Sequence, residues 1–448
     1  MTTPGAEAAG LAATGQAGLP VTVGAEIDAL LAAADRDLAA GYPGDRPARQ
    51  PVHTVYVPAD RYLPGLPAGW GGQALDALDR HAPGAVDFAA AMGLPPGVAA
   101  DVLPLVRAKL AAEPVEDLRL DFEDGYGERG DDAEDADAAS AAASLAAALA
   151  AGTAPPFSGL RCKSLQPATR RRAIRTLDIF LAGLLSRGPL PAGPLPAGSL
   201  PAGPLPAVPL PAGFVLTLPK VTSAAQVEAM AHLCGRLEEA HGLARGRLAF
   251  EIQVETPQVI LGADGTAVIA RCVHAAGGRL AGLHYGTYDY SAALGIAAAY
   301  QSMAHPAADY ARAVMQVAAA GTGVRLCDGS SNVLPEGSRE EVVAAWQLHS
   351  RLVRRSLERG FYQGWDLHPG QLASRYAVTF AFFRGGLPTA CERLRSITQR
   401  AAGGLLEEPA TARALVGFVL RGLDCGAVTP AEVTTLSGLD RSALEALR

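Results

Sequence analysis

From Val23 to Ala40 the residues Ile27, Leu30, Leu31 and Leu38 recur at helical spacing, and Pro43 with Gly44 closes the run, which predicts an amphipathic helix. Downstream the period changes, as short β-branched or apolar runs alternate with longer Ala/Leu/Arg-rich stretches of helical character. Eight such runs stand out: HTVYVPA from His53, DLRLDFED from Asp117, GLRCKS from Gly159, FVLTLPK from Phe214, LAFEIQVET from Leu248, RLAGLHYGTYD from Arg279, VRLCDG from Val324 and GWDLHP from Gly364. Eight strands alternating with helices is what a (β/α)8 (TIM) barrel requires, so the fold class expected is α/β. After His368 the chain reads as a closing helical region. From about Leu405 to Arg448 it reads as further helices, broken at Cys425-Gly426 and near Gly438.

Two stretches do not fit that alternation. The first 20 or so residues are Ala, Gly and Thr without periodicity and are expected to be a disordered leader. From Gly188 to Gly213 GPLPAG-like units repeat, and proline at that density removes amide donors and favours extended chain, so the segment is expected to loop out of the barrel. The expected division is a leader and helix over 1–45, a barrel over 46–403 carrying the 188–213 insertion, and a helical appendage over 404–448.

Composition narrows the function. The net charge of -7 argues against a nucleic-acid partner, and the tail, with no excess of bases over acids, does not read as a DNA-binding helix-turn-helix. The six cysteines are scattered without CxxC pairs, which points away from a zinc cluster or disulfide framework and toward a reduced, cytoplasmic chain. No run of 18 uncharged apolar residues suggests a membrane span.

Several of the runs end in polar or charged residues: Glu123 and Asp124, Lys163, Lys220, Glu255, Asp289, Asp328 and His368. In a barrel of this kind the C-terminal strand ends converge on one face, where the chemistry sits. Glu255 and Asp289 close the fifth and sixth expected strands side by side, and two hard oxygen ligands with open positions are what Mg²⁺ asks for, Mn²⁺ being the natural substitute. The competing reading pairs these acids with Arg271 or Arg279. Gly286, three before Asp289, lets backbone approach a ligand closely. Asp121 and Glu123 are expected to point together into the mouth, with Arg161, Lys163 and Lys220 as partners. Lys163 and Lys220 are two of only three lysines in the chain. Arg161 suits a substrate carboxylate, the alternative being a structural pair with Glu123. Lys220 stands where a class I aldolase places its Schiff-base amine, and His284 and His368 are acid-base candidates.

In this order, TVYVPADR, LRLDFEDGYG, LRCKS, FVLTLPKV, VETPQ, YGTYDYSAALGI, LCDGSSN and GWDLHPGQL resemble the HpcH/HpaI aldolase and citrate lyase beta-subunit family of the phosphoenolpyruvate/pyruvate-type barrels, over roughly His53 to Leu372. The resemblance implies that Glu255 and Asp289 bind magnesium and that Arg161 binds the substrate carboxylate. It gives Glu123, Asp124 and Lys220 a part in catalysis and leaves Lys163, Gly286, Asp328 and His368 as substrate-binding candidates. It implies lyase or Claisen-type chemistry on a short 2-keto acid or a hydroxyacyl-CoA ester, in a homo-oligomer as barrels of such families commonly form; charge and hydropathy add no nucleic-acid or membrane partner. Lys163 replaces the asparagine usual two residues after the arginine, and the extra length marks a divergent subgroup. A Schiff-base aldolase, a phosphoenolpyruvate-dependent phosphotransferase, an acyl-CoA thioester hydrolase and a non-enzymatic scaffold are the alternative readings.

Overall fold

The computed structural model describes residues 22–185, 210–402 and 409–448. The expected leader, and the proline-rich segment as far as residue 209, lie outside the described residues.

All eight expected strands form, in chain order β1 (His53–Pro58), β2 (Asp117–Asp121), β3 (Phe157–Arg161), β4 (Gly213–Leu218), β5 (Ala249–Val254), β6 (Leu280–Tyr285), β7 (Arg325–Cys327) and β8 (Gly364–Asp366). They pair in parallel in the order β7-β6-β5-β4-β3-β2-β1-β8. A single bridge between Cys327 and Gln363 brings β7 to β8, so the TIM barrel closes there with its fewest hydrogen bonds. The helices that follow β1 are α2 (Leu66–His81), α3 (Ala85–Met92) and α4 (Pro96–Ala112); α1 (Thr22–Gly41) precedes it. Then come α5 (Asp131–Ala150), α6 (Arg170–Leu185), α7 (Ala224–Ala240), α8 (Pro257–Ile260), α9 (Val268–Ala275), α10 (Thr287–Ala293), α11 (Pro306–Ala319) and α12 (Arg339–Glu358). After β8 the chain continues through α13 (Pro369–Ala402), α14 (Pro409–Asp424), α15 (Pro430–Ser437) and α16 (Arg441–Ala446).

The outward strand positions Val55, Leu118, Leu120, Leu160, Leu216, Ile252 and Leu283 are fully covered by helices. Burying a side chain of this size contributes about 1.5–3 kcal/mol. The inward positions are more polar. Arg119 of β2 crosses the barrel to Glu251 of β5, donating from Nε (3.1 Å) and Nη2 (3.0 Å), and also holds Asp117. Glu251 accepts from Thr217 (2.6 Å) and lies 2.9 Å from His284, whose Nδ1 takes the Trp365 indole N–H at 3.1 Å. Each buried charge therefore has a partner, as the cost of an unpaired one demands. His284, an acid-base candidate from sequence, belongs to this packed interior.

Helix α14 packs its Phe418 against Phe382 and Phe383 of α13, with ring centroids 5.6 and 5.1 Å apart. The expected breaks are present, since α14 ends at Asp424 and α15 is capped by Gly438 at φ 78°. Helix α1 buries none of its residues and leaves Ile27, Leu30, Leu31 and Leu38 exposed. Among the described residues no single helix is long and apolar enough to cross a membrane.

Candidate active site at the barrel mouth

Arg161 is the last residue of β3, and alternation turns it inward beside Asp121, the last residue of β2 and its register partner. Asp121 is its tightest partner, accepting from Nε at 2.6 Å and Nη2 at 2.7 Å, and the expected pair with Glu123 is present as a longer contact. The reason is local. Glu123 lies past the end of the strand, where the chain has turned, and its own backbone N–H bonds Asp121 at 2.9 Å. Gly125 donates to the same carboxylate at 2.8 Å, and a Cβ on Gly125 would stand 2.6 Å from it, so only glycine fits. This bidentate pair leaves Arg161 Nη1 facing the mouth, 3.4 Å from both Gln253 Oε1 and Glu123 Oε2. The guanidinium lies 4.7 Å over the Tyr56 ring. Two buried polar atoms here, Tyr56 Oη and Gln253 Nε2, have no hydrogen-bond partner among the described residues.

Glu255 follows β5 directly and is buried. Gly286 makes room for it, since a Cβ there would meet Glu255 Cβ at 2.5 Å and Oε2 at 2.8 Å. Burial pushes the Glu255 carboxyl up to about 8 despite the pull of Lys220 and Arg161. Asp289 was expected at the end of the sixth strand; it stands instead in the first turn of α10, four residues beyond β6, and is exposed. The helix turn still directs it to the mouth.

Lys220 joins these groups. Its φ of 54° is the one positive value at a non-glycine among the described residues, a costly conformation that tends to be kept at functional sites. In this conformation its backbone N–H donates to Glu255 Oε1 at 2.7 Å. Its ammonium lies 2.6 Å from Asp289, 3.0 Å from Asp124, 3.5 Å from Glu123 and 4.0 Å from Glu255. Burial alone would lower the lysine's pKa, but these carboxylates outweigh it and hold the amine protonated, above its ordinary range. Burial raises Glu123 to about 7, while in Asp124 the contacts with Glu123, Arg161 and Lys220 overcome burial and lower it. Five acids thus face two cations here.

Of these groups Tyr56, Asp121, Asp124, Arg161, Glu255 and Asp289 border a cavity of about 340 Å³, whose wall also includes Thr287, Ser330 and Trp365. Three of the expected substrate-binding residues are elsewhere. Lys163 donates to the carbonyls of Phe122 (3.0 Å) and Gly127 (3.1 Å) and fastens the acidic loop from behind. Asp328 is buried against Arg312 and Ser356, because it follows an inward Cys327 and so faces the helices. His368 lies 3.2 Å from Glu336 in a separate cleft shared with Asp76 and Arg80. Tyr56, Gln253 and Trp365 were missed from sequence, although each holds an inward strand position at period two.

The profile of DUF6986, described as a domain of unknown function, matches residues 31–197 and 205–448. No curated protein matches in sequence. A citrate lyase from Burkholderia xenovorans LB400 shares the fold at TM-score 0.52 and 16% identity, with 87% of this chain and 97% of that one covered. Two further structures align more loosely. One is a Haloferax volcanii malate synthase magnesium/glyoxylate complex, with TM-score 0.44, 14% identity, and coverage of 74% of this chain and 76% of that one. The other is an HpcH/HpaI aldolase/citrate lyase family protein from Burkholderia cenocepacia J2315, with TM-score 0.40, 14% identity, and coverage of 76% and 93%.

Proposed function

The chain belongs to the DUF6986 family, and from that premise we propose that it is a magnesium-dependent carbon-carbon lyase or aldolase acting on a short 2-keto acid or a hydroxyacyl-CoA ester. The observation that carries this reading is the convergence of Glu255 and Asp289 on one ammonium position, beside the Nη1 of Arg161 that faces the mouth.

The residues present fit a divalent ion. The donors are hard carboxylate oxygens, and the mouth holds more acids than cations. Among the described residues no group of three His, Cys, Asp or Glu side chains can hold a metal ion. The fit is therefore to a two-carboxylate site, Glu255 and Asp289, completed by oxygens from water and substrate. The ion would supply Lewis-acid stabilisation of the enolate formed when the bond to the neighbouring carbon breaks. Mn²⁺ would serve in its place.

The chain's own residues do the rest. Arg161, fixed by Asp121, offers Nη1 and the second hydrogen of Nη2 to the substrate carboxylate. Glu123, raised to about 7 by burial, is suited to hold and return a proton near neutral pH. Lys220 holds the acids together, and its ammonium occupies the position between Glu255 and Asp289 that the ion would take. Other readings have less support. A Schiff-base route through Lys220 needs a neutral amine, which its four acid neighbours oppose. Phosphoryl transfer through histidine lacks a histidine at the mouth, since His284 is locked to Glu251 and Trp365 and His368 sits in another cleft.

The test is exchange of pyruvate methyl protons in D₂O, followed by NMR with added Mg²⁺. Glu255 has a raised pKa, so below about 8 the ion must displace a proton. Apparent Mg²⁺ affinity should rise by about tenfold per pH unit up to that pH and flatten above it. Exchange that survives EDTA would overturn the reading.

A further inference from the structure

The opposite end of the barrel carries a second concentration of charge. Where α14 and the last residue meet the base of the barrel, a cavity of about 170 Å³ is bordered by Arg46, Arg325, Arg421 and Arg448, with Asp45 and Asp424. Arg325 opens β7, and Arg46 lies in the segment leading to β1, so the site is at the N-terminal strand ends, away from the mouth.

The acids do not balance the arginines. Asp424 is taken by Arg441. Asp45 is mostly exposed and lies at 3.9 Å from Arg421 and 3.6 Å from Arg448, too far for a good hydrogen bond to either. Arg421 instead stacks 4.4 Å over the Tyr362 ring. Arg46 donates only to the carbonyls of Gly278 (3.4 Å) and Leu280 (3.1 Å), and Arg325 only to that of Ala48 (2.9 Å). Neither has a carboxylate within ion-pair distance among the described residues. Burial, then the charge of Arg46, pull the Arg325 guanidinium down to about 10. Neutral carbonyls offset little of the cost of gathering half-buried positive charge, which an anion would offset directly.

We propose that this cavity binds a compact oxyanion carrying two or more negative charges, which ties the α14 tail to the base of the barrel. The guanidinium fork matches phosphate and carboxylate oxygens alike. The volume falls below the roughly 300 Å³ at which sites for drug-sized ligands begin, so phosphate, pyrophosphate or a small polycarboxylate fits and a whole nucleotide does not. This site is independent of the chemistry at the mouth.

The test uses the full chain titrated with phosphate, pyrophosphate and citrate, at ionic strength held constant with sodium chloride, by calorimetry and by thermal unfolding. At least one anion should bind saturably and raise Tm by about 3 °C at saturation. Which anion binds tightest separates a phosphoryl source from a carboxylate one. Arg325→Gln and Arg46→Gln should each weaken binding at least tenfold, while Arg161→Lys at the mouth should leave it unchanged. Should Arg325→Gln fail to fold, Arg421→Gln on the surface of α14 gives the same reading. The proposal is overturned if no anion binds saturably, or if binding persists at full strength in the Arg46 and Arg421 variants.

Discussion

Glu255→Gln is expected to lower pyruvate exchange by about 10³-fold or more and to abolish Mg²⁺ binding, while the chain still folds. Glutamine keeps the size of the side chain, and its carbonyl can still accept the Lys220 backbone N–H that Glu255 Oε1 holds at 2.7 Å. What it removes is the negative charge. In the wild type that charge is costly, since burial raises the carboxyl to about 8. The sign follows from linkage: with a folded pKa above the unfolded one, the stability this group contributes is present at low pH and is lost as pH rises through about 8. Without metal, the variant should therefore match the wild type at pH 5 and unfold at a higher temperature than the wild type at pH 9. A variant that lost activity and stability together at both pH values would make Glu255 a structural residue only.

Arg161→Lys is expected to cost about 10²-fold or more in kcat/KM, with most of the loss in KM. Lysine keeps the charge and loses the fork. In the wild type the fork binds Asp121 through Nε and Nη2 and turns Nη1 to the mouth, where the proposed function puts the substrate carboxylate. An ammonium cannot serve both. Removing one partner of a buried ion pair costs about 3–5 kcal/mol, and because lysine retains the charge the stability loss should fall below that. Urea unfolding measures the stability, and the split between KM and kcat separates carboxylate binding from a general loss of packing. An unchanged KM would remove Arg161 from the substrate site.

The strands and the inward arginine were legible because period two is a strong signal wherever one face is buried. The same period marks Asp117, Arg119 and Asp121 on β2 and Glu251 and Gln253 on β5, with Glu255 just past its end, as inward polar stripes, yet only their mouth ends stand out as chemistry. What the sequence concealed lies just past the strand ends. Lys163 and Arg161 share a parity, but the chain turns after Arg161, so parity no longer sets direction and Lys163 reaches back to Phe122 and Gly127. The run LHYGTYDY continues without a break and so reads as strand through Asp289, whereas Gly286 in fact starts a helix. His368 and Asp328 read as strand-end polar residues, yet both have partners away from the mouth. The part of Lys220 in gathering four acids depends on a positive φ that no residue pattern announces.

The most direct test of the central claim is a crystal structure of the full chain soaked with Mg²⁺ and oxalate, a mimic of the enolate of pyruvate. The expected result is an ion about 2.0–2.1 Å from oxygens of both Glu255 and Asp289, with the Lys220 ammonium moved away and an oxalate carboxylate on Arg161 Nη1. An ion bound elsewhere, or oxalate bound while Lys220 still bridges Asp124 and Asp289, would contradict it.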